Sequence, residues 1–491
     1  MIACGAIEND LALLDTAEPS MKQLYCIFLT SIVQASPRKR TPSPNPNRKR
    51  ESMPFLTNRN PNCNLSNKGN NDIFIAMVPR FQRLCPNSRT IASILATTGL
   101  VNFVLAAQQS FQAREVSAEF ELNQFVSHNR VATGAIALVD LGHGQVWSAA
   151  SGYADAYQKI PLSPTSQFRI GSVTKTFLAA TALKLGMDHK LDIEKPISNY
   201  LTIQVHNPDG SVNPDTLWSV ITTKMLAQMT SGLYDYQNDS GWLAVADGDP
   251  THQWCADDLI DAIYTTPPYA PGQFFYYSNG NALLMGKVIE AVSSGQPLPD
   301  IVSRLCFNPL HLNNTYFDNG SINNNLPTSF CHGYNNGIDV TYFSASRDIY
   351  AGDIVSTVGD LNVWIRSLLG SNLLLTSEWR KILEEIPSCP NKQAKLPPLN
   401  PRETEKSNPY SFGTEKQLIE RFNQGGKRRI ETWWGHNGEV SGYETKCFYC
   451  PDSGASMVVM INSSETGAPN QINVLWNKMQ RIFLDTNASG S

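Results

Sequence analysis

One pentapeptide, Gly171-Ser172-Val173-Thr174-Lys175, limits what this chain can build more than any other stretch. It joins a β-prone entry, Phe168-Arg169-Ile170, to a run, Thr176 to Leu185, that reads as a helix. A serine and a lysine three residues apart at a helix start face the same side. A serine hydroxyl is a weak nucleophile until a base takes its proton, and a partly desolvated lysine amine one turn away can serve. The first backbone N–H groups of the helix point at the same place, where they can stabilise an oxyanion. The spacing alone is common and usually marks a surface pair. It recurs at Ser36-Pro37-Arg38-Lys39, in a basic, proline-rich stretch unsuited to starting such a helix. The pentapeptide therefore makes no case for chemistry by itself.

Two stretches nearer the C-terminus supply that case. Pro271-Gly272 leads to Tyr277-Ser278-Asn279 and then to a helical pattern from Ala282 to Val292. A phenol near the serine and lysine can act as phenolate base or proton shuttle. The asparagine amide can bond both the lysine and a substrate amide. Tyr236-x-Asn238 and Tyr334-x-Asn336 share the bare pattern, but only the Tyr277 copy has Pro-Gly before it and a helix after it. The third stretch is Thr432-Trp433-Trp434-Gly435-His436-Asn437-Gly438-Glu439, entered by a β-prone run. A lone strand histidine is usually structural; as the third motif in order, His436 becomes a candidate site residue. Gly438 lets a substrate lie close to the strand backbone, and the N–H of Glu439 is a candidate second oxyanion donor.

Around these motifs the chain reads as layered. Gly134–Asp140 and Val146–Tyr153, with Gly142-His143-Gly144 between them, predict a β-hairpin. The passage Leu191–Leu201 is turn-rich, and helical patches follow around Ala256–Tyr264. Two strands are expected at Gly442–Cys450 and Ala455–Asn462, then an amphipathic helix, Gln471–Leu484, with Ile472, Leu475, Trp476, Met479 and Phe483 on one face. Lys392–Asn408 reads as a surface loop within the long segment Leu373–Arg429. Cys447-x-x-Cys450 sits in an expected strand, where residues three apart point to opposite faces, so it is no zinc half-site.

The 491 residues are 41% hydrophobic and 17% charged, enough to bury a sizeable core. Residues 1–107 carry a net charge of +6 and the remainder −10. An acidic body argues against a nucleic-acid partner. The ten cysteines are irregularly spaced and read as no disulfide framework. Residues 1–76 cannot bury enough apolar surface to order themselves; they read as a disordered or spurious N-terminal extension, with a nuclear-localisation or nucleic-acid tail as the lesser reading. Residues 77–107 read as a signal peptide from Met77 to about Ala106, with Arg80, Arg83 and Arg89 before an apolar run from Ile91 to Ala107. The expected location is periplasmic or secreted; the alternative is anchoring by an uncleaved segment. No later stretch is apolar enough to span a membrane.

In this order the three motifs resemble those of the β-lactamase-related serine hydrolases: class C β-lactamases, D-alanyl-D-alanine carboxypeptidases and related esterases. The likeness runs from about residue 116 to 485 and includes Thr230-Ser231-Gly232-Leu233 and Ile354-Val355-Ser356-Thr357. It implies an α/β (α+β) fold of the β-lactamase/transpeptidase type. An antiparallel β-sheet is flanked by helices on both faces, built from about 116–190 and 340–485, with a mostly helical subdomain inserted at about 191–339. It also implies roles. Ser172 attacks a carbonyl and forms an acyl-enzyme, while Lys175 and Tyr277 handle the proton as a coupled pair. Asn279 positions Lys175 and the substrate. Ser172 and Glu439 supply oxyanion N–H groups, Gly438 admits the substrate, and His436 binds its carboxylate or assists proton transfer. No metal and no cofactor is implied.

Histidine at the third motif departs from class C β-lactamases, because lysine there is a permanent cation and histidine is mostly neutral at pH 7. The leading expectation is a D-alanyl-D-alanine carboxypeptidase-like or penicillin-binding hydrolase acting on a small peptide, ester or β-lactam. An esterase and a β-lactamase are the near alternatives. A catalytically idle cell-wall peptide-binding protein is the alternative of another class. The oligomeric state is not legible.

Overall fold

Strand alternation explains how one sheet serves two cores. In β1 (Gly134–Asp140), Ile136 and Leu138 point into one apolar cluster, and Ala135, Ala137 and Val139 into another. Successive strand residues face opposite sides, and every residue of β1 is buried, so this strand lies mid-sheet with both faces covered. The computed structural model describes residues 110–128, 133–203, 205–206, 212–213, 217–264, 270–318, 326–387, 409–422, 428–464 and 471–485. The expected extension 1–76, the signal segment 77–107 and the insert 392–408 lie outside them.

The main sheet has seven strands, adding β2 (Val146–Asp155), β3 (Ile160–Pro161), β4 (Glu415–Phe422), β5 (Arg428–Val440), β6 (Tyr443–Tyr449) and β7 (Ser456–Ile461). Their order is β4-β5-β6-β7-β1-β2-β3, antiparallel at every step. The early hairpin is thus zipped to the end of the chain, with Ile136 opposite Met460 and Leu138 opposite Val458. One face carries α1 (110–128) and α5 (Gln471–Leu484). Ile472, Leu475, Trp476, Met479 and Phe483 of α5 are all buried there, as the 3.6-residue pattern requires. Each such side chain contributes about 1.5–3 kcal/mol of burial as an upper bound.

The other face carries α2 (Thr174–Met187) and α4 (Val358–Gly370), and α3 (Asn279–Val292) packs on α2. Phe177 of α2 stacks on Trp364 of α4 with ring centroids 3.8 Å apart, and the Trp364 indole donates to Thr176 Oγ1 at 2.8 Å. The expected hairpin, the helices after Ser172 and Tyr277, the last two strands and the closing helix are all present, and the mixed antiparallel-sheet fold class is borne out. Cys447 faces the α2 side and Cys450 the α5 side, so they diverge as expected. Sequence patterns did not assign α1, α4, the helix Ser377–Ile382 or the edge strand β4. Among the described residues no helix is long and apolar enough to cross a membrane.

Candidate active site

Ser172 lies in a single 3-10 turn, Gly171–Val173, that runs into α2. The turn is pressed against β5, and the sheet explains why that edge is open. The β4–β5 ladder ends at the Glu415–Gly435 pair, whereas β5 continues through His436 to Val440 bonded to β6 on its other side. Two glycines allow the approach. A Cβ on Gly438 would sit 1.9 Å from the carbonyl oxygen of Ile170, and one on Gly171 would sit 2.6 Å from the backbone nitrogen of Glu439. Gly171 also has φ +54°, which side chains other than glycine's adopt at a cost. The backbone nitrogen of Glu439 therefore passes beside the serine turn.

Lys175, one turn into the helix, is 1% exposed. Its Nζ donates to Ser172 Oγ at 2.9 Å, Asn279 Oδ1 at 2.8 Å and the Ala351 carbonyl at 2.9 Å. Those bonds use all three protons of an ammonium. Burial pushes its pKa down to about 8 against the opposing pull of Asp235, Asp348, Asp353 and Glu415. Tyr277 donates from its phenol to Ser172 Oγ at 2.8 Å. Burial pushes the phenol pKa up, and the bond to Ser172 only partly offsets this. At neutral pH the pair thus comprises a lysine near its titration point and a phenol that keeps its proton.

Ser278 caps α3 by accepting from the Gly280 N–H, which sets Tyr277 and Asn279 on either side of the helix start. Asn279 holds Lys175 through Oδ1, and its Nδ2 donates to Gln237 Oε1 at 2.9 Å. Gln237 Nε2 then donates to Asp348 Oδ1 at 2.6 Å. The other two Tyr-x-Asn tyrosines are occupied elsewhere: Tyr236 donates to the Arg347 carbonyl, and Tyr334 accepts from the Ala156 N–H.

His436 is 1% exposed, and both ring nitrogens are engaged. Nδ1 faces the Asn437 carbonyl and lies 3.4 Å from Glu415 Oε1, which assigns the proton to Nδ1. Nε2 then accepts from Tyr410 Oη at 3.0 Å. Burial pushes the His436 pKa down, so the ring is neutral at pH 7. The Tyr410 ring meets the rings of both Tyr277 and His436 edge-on, at 6.0 Å and 5.5 Å. His436 thus reaches Tyr277 through Tyr410, and its ring also lies 6.4 Å from the Tyr277 ring directly. The sequence-predicted residues Ser172, Lys175, Tyr277 and Asn279 form one bonded cluster, with Gly438 and Glu439 contributing backbone beside it. Gln237, Ala351, Asp348, Tyr410 and Glu415 were missed. None carries a local signal, since each joins through a contact distant in sequence.

The arrangement holds a hydroxyl between an amine of lowered pKa and a protonated phenol, at a helix start and against an open strand edge. Known proteins share the frame. Protein flp of Staphylococcus aureus (strain NCTC 8325 / PS 47) is 30% identical over 169 residues, 34% of this chain and 31% of that protein. The chain therefore spans about a third of the length of the curated relatives it matches. The D-amino acid amidase from Ochrobactrum anthropi SV3, complexed with D-phenylalanine, superposes with a TM-score of 0.60 at 20% identity, covering 75% of this chain and 98% of that one. A D-stereospecific amidohydrolase from Streptomyces sp. superposes with a TM-score of 0.57 at 23% identity, over 75% and 98%. The family model described as Beta-lactamase matches residues 122–475, and with most of its length inside that match this chain belongs to the Beta-lactamase family.

Proposed function

We propose that this protein is a serine amidohydrolase that cleaves amides or peptides of D-configured acyl donors through an acyl-enzyme on Ser172. The observation that carries the proposal is the double engagement of Ser172 Oγ, 2.9 Å from Lys175 Nζ and 2.8 Å from Tyr277 Oη. Neutral Lys175 takes the Ser172 proton as Oγ bonds to the carbonyl carbon. The carbonyl electrons move to the oxygen, held by the N–H groups of Ser172 and Glu439. As the intermediate collapses, the C–N bond breaks and Tyr277 protonates the departing nitrogen, to be reprotonated at the expense of Lys175. Water repeats the cycle on the ester and frees the acid. No step calls for a metal.

His436 shifts the reading among the expected alternatives. A carboxypeptidase needs a cation for the terminal carboxylate of its leaving group, and His436 is neutral, buried and bonded at both nitrogens. That favours uncharged leaving groups, amides before carboxypeptidase substrates. The D preference draws on the structural neighbours named for D-amino acid amides and D-stereospecific amide hydrolysis, whose likeness is one of fold. The test uses protein beginning at Gln108, with D- and L-alanine p-nitroanilides as substrates and a chromogenic cephalosporin as a trap read by intact mass. Release from the D form, and an adduct absent in Ser172→Ala, are expected. No adduct and no release from either enantiomer would refute the proposal; equal release from both would leave an amidohydrolase without the D preference.

A further inference from the structure

Beside the serine turn lies a small cleft lined by Arg347, Asp348, Gly352, Val440 and Ser441, among others. It adjoins the catalytic cluster directly. Gly352 packs against Val440 and Gly171, and the neighbouring Ala351 carbonyl holds Lys175. Two arginines are among its lining residues. Arg169 is committed: it pairs with Asp318 at 2.8 Å and donates to the carbonyls of Thr341 and Phe343. Arg347 is not. Among the described residues its guanidinium has no hydrogen bond and no ion pair; it lies over the Trp242 ring at 5.4 Å. Its backbone is fixed by the Tyr236 phenol donating to its carbonyl at 3.1 Å, within the 3-10 turn Ala345–Asp348. Arg347 sits on a rigid turn, propped by an indole face, and feels the charge of the adjacent Asp348 without an ion pair to it; such a cation is preorganised for a further anion.

The strand sets which part of a substrate it meets. The open edge of β5 passes Ser172 at Gly438. Its His436 end carries Tyr410 and Tyr277, the proposed proton donor to the leaving group. Its Val440 end borders the Arg347 cleft. A substrate stretched along this edge therefore puts its leaving group toward Tyr277 and the remote end of its acyl portion toward Arg347. Two residues of strand are roughly 6–7 Å, about the reach of an N-succinyl group from the scissile carbonyl of an acylated amino acid. Asp348, in the same wall, already accepts from Gln237; burial pushes its pKa up against the pull of Arg347 beside it.

We propose that Arg347 is a specificity residue that binds a carboxylate on the acyl portion of the substrate, so that the preferred acyl donors are acidic N-acyl-D-amino acid derivatives. This rests on the amidohydrolase function already proposed. The test compares N-succinyl-D-alanine p-nitroanilide with N-acetyl-D-alanine p-nitroanilide in the unsubstituted protein, Arg347→Gln and Arg347→Lys. A charged hydrogen bond supports a kcat/KM ratio of about tenfold or more in favour of the succinyl substrate. The ratio should fall to near one in Arg347→Gln and be partly kept in Arg347→Lys. A ratio near one at the outset, or unchanged in Arg347→Gln, overturns the proposal. So does a preference for the free-amine D-alanine p-nitroanilide over both, which would assign acyl recognition to Asp348. If neither N-acyl anilide turns over, the hydrolase reading fails by itself, and calorimetry decides Arg347 alone. N-succinyl-D-alanine should then bind about tenfold tighter than N-acetyl-D-alanine, with the difference erased in Arg347→Gln; equal affinities would overturn the proposal.

Discussion

If neutral Lys175 is the base, the rate must follow its titration. N-acetyl-D-alanine p-nitroanilide has no group that titrates between pH 5 and 11, so kcat/KM reports the free enzyme. With Lys175 at about 8 the neutral fraction rises about tenfold between pH 7 and pH 9 and then levels. With a lysine at its ordinary value the rise over the same interval would be about a hundredfold and still climbing at pH 10. Burial keeps the Tyr277 phenol protonated beyond this range, so no falling limb is expected below pH 10. Stability supplies a second readout with a definite sign. The folded pKa of Lys175 lies below the unfolded one, so between about pH 8 and 10 the unfolded chain binds more protons and stability rises with pH, by up to about 3 kcal/mol for a shift of this size. Lys446, also pushed down to about 8, contributes in the same direction. The difference between the protein and Lys175→Met, measured by denaturant unfolding across that window, isolates Lys175. A profile still climbing a hundredfold from pH 7 to 9, together with a Lys175→Met difference flat in pH, would refute the assignment of Lys175 as a desolvated base.

Three substitutions probe other parts of the site. Tyr277→Phe removes the donor to Ser172 Oγ and should cut kcat by about 10²–10⁴ while leaving KM within a few-fold, by steady-state kinetics. Gly438→Ala places a methyl against the Ile170 carbonyl; it should cost about 1–3 kcal/mol of stability by denaturant unfolding, and activity should fall more than a hundredfold because the Ser172 turn and β5 must part. His436→Ala leaves the Tyr410 hydroxyl without its acceptor in a buried place; it should lower stability by about 1–3 kcal/mol and lower kcat more than KM, since Tyr410 packs on Tyr277.

The legible parts of this chain were local in sequence. The closing helix shows its buried face in the spacing of Ile472, Leu475, Trp476, Met479 and Phe483. The hairpin shows itself by two apolar runs around Gly142-His143-Gly144. Ser172 and Lys175 share a helix turn, so their contact is dictated by spacing. The α4 helix could have been found from Thr357, whose side chain accepts from the Asp360 N–H, followed by Leu361, Trp364, Ile365 and Leu368. Strand β4 could not: Glu-Lys-Gln-Leu-Ile-Glu-Arg-Phe alternates poorly, and as the sheet edge it exposes Leu418. Gln237, Tyr410 and Glu415 enter the site only after folding brings separate segments together, and no spacing rule links Tyr410 to Tyr277.

The replacement of a lysine-type third motif by His436 makes physical sense once Tyr410 and Glu415 are in view. A lysine buried to the same degree between a carboxylate and a phenol would be an ion pair of the interior, closed to a substrate, and its desolvation would have to be offset by Glu415 alone. A neutral histidine costs less to bury and offers both a donor and an acceptor. It satisfies the Asn437 carbonyl on one side and Tyr410 on the other, and so holds the ring that packs against Tyr277. On the proposed function, His436 then offers no charge to the leaving group. Arg347 borders the other end, on the turn that also carries Asp348 and is followed by Ala351. The same segment that holds Lys175 through the Ala351 carbonyl thereby carries the cation proposed to select the acyl group. On the proposed function, a change of sequence in residues 345–352 should alter catalysis and specificity together, whereas a change at His436 should act on catalysis through the rings of Tyr410 and Tyr277.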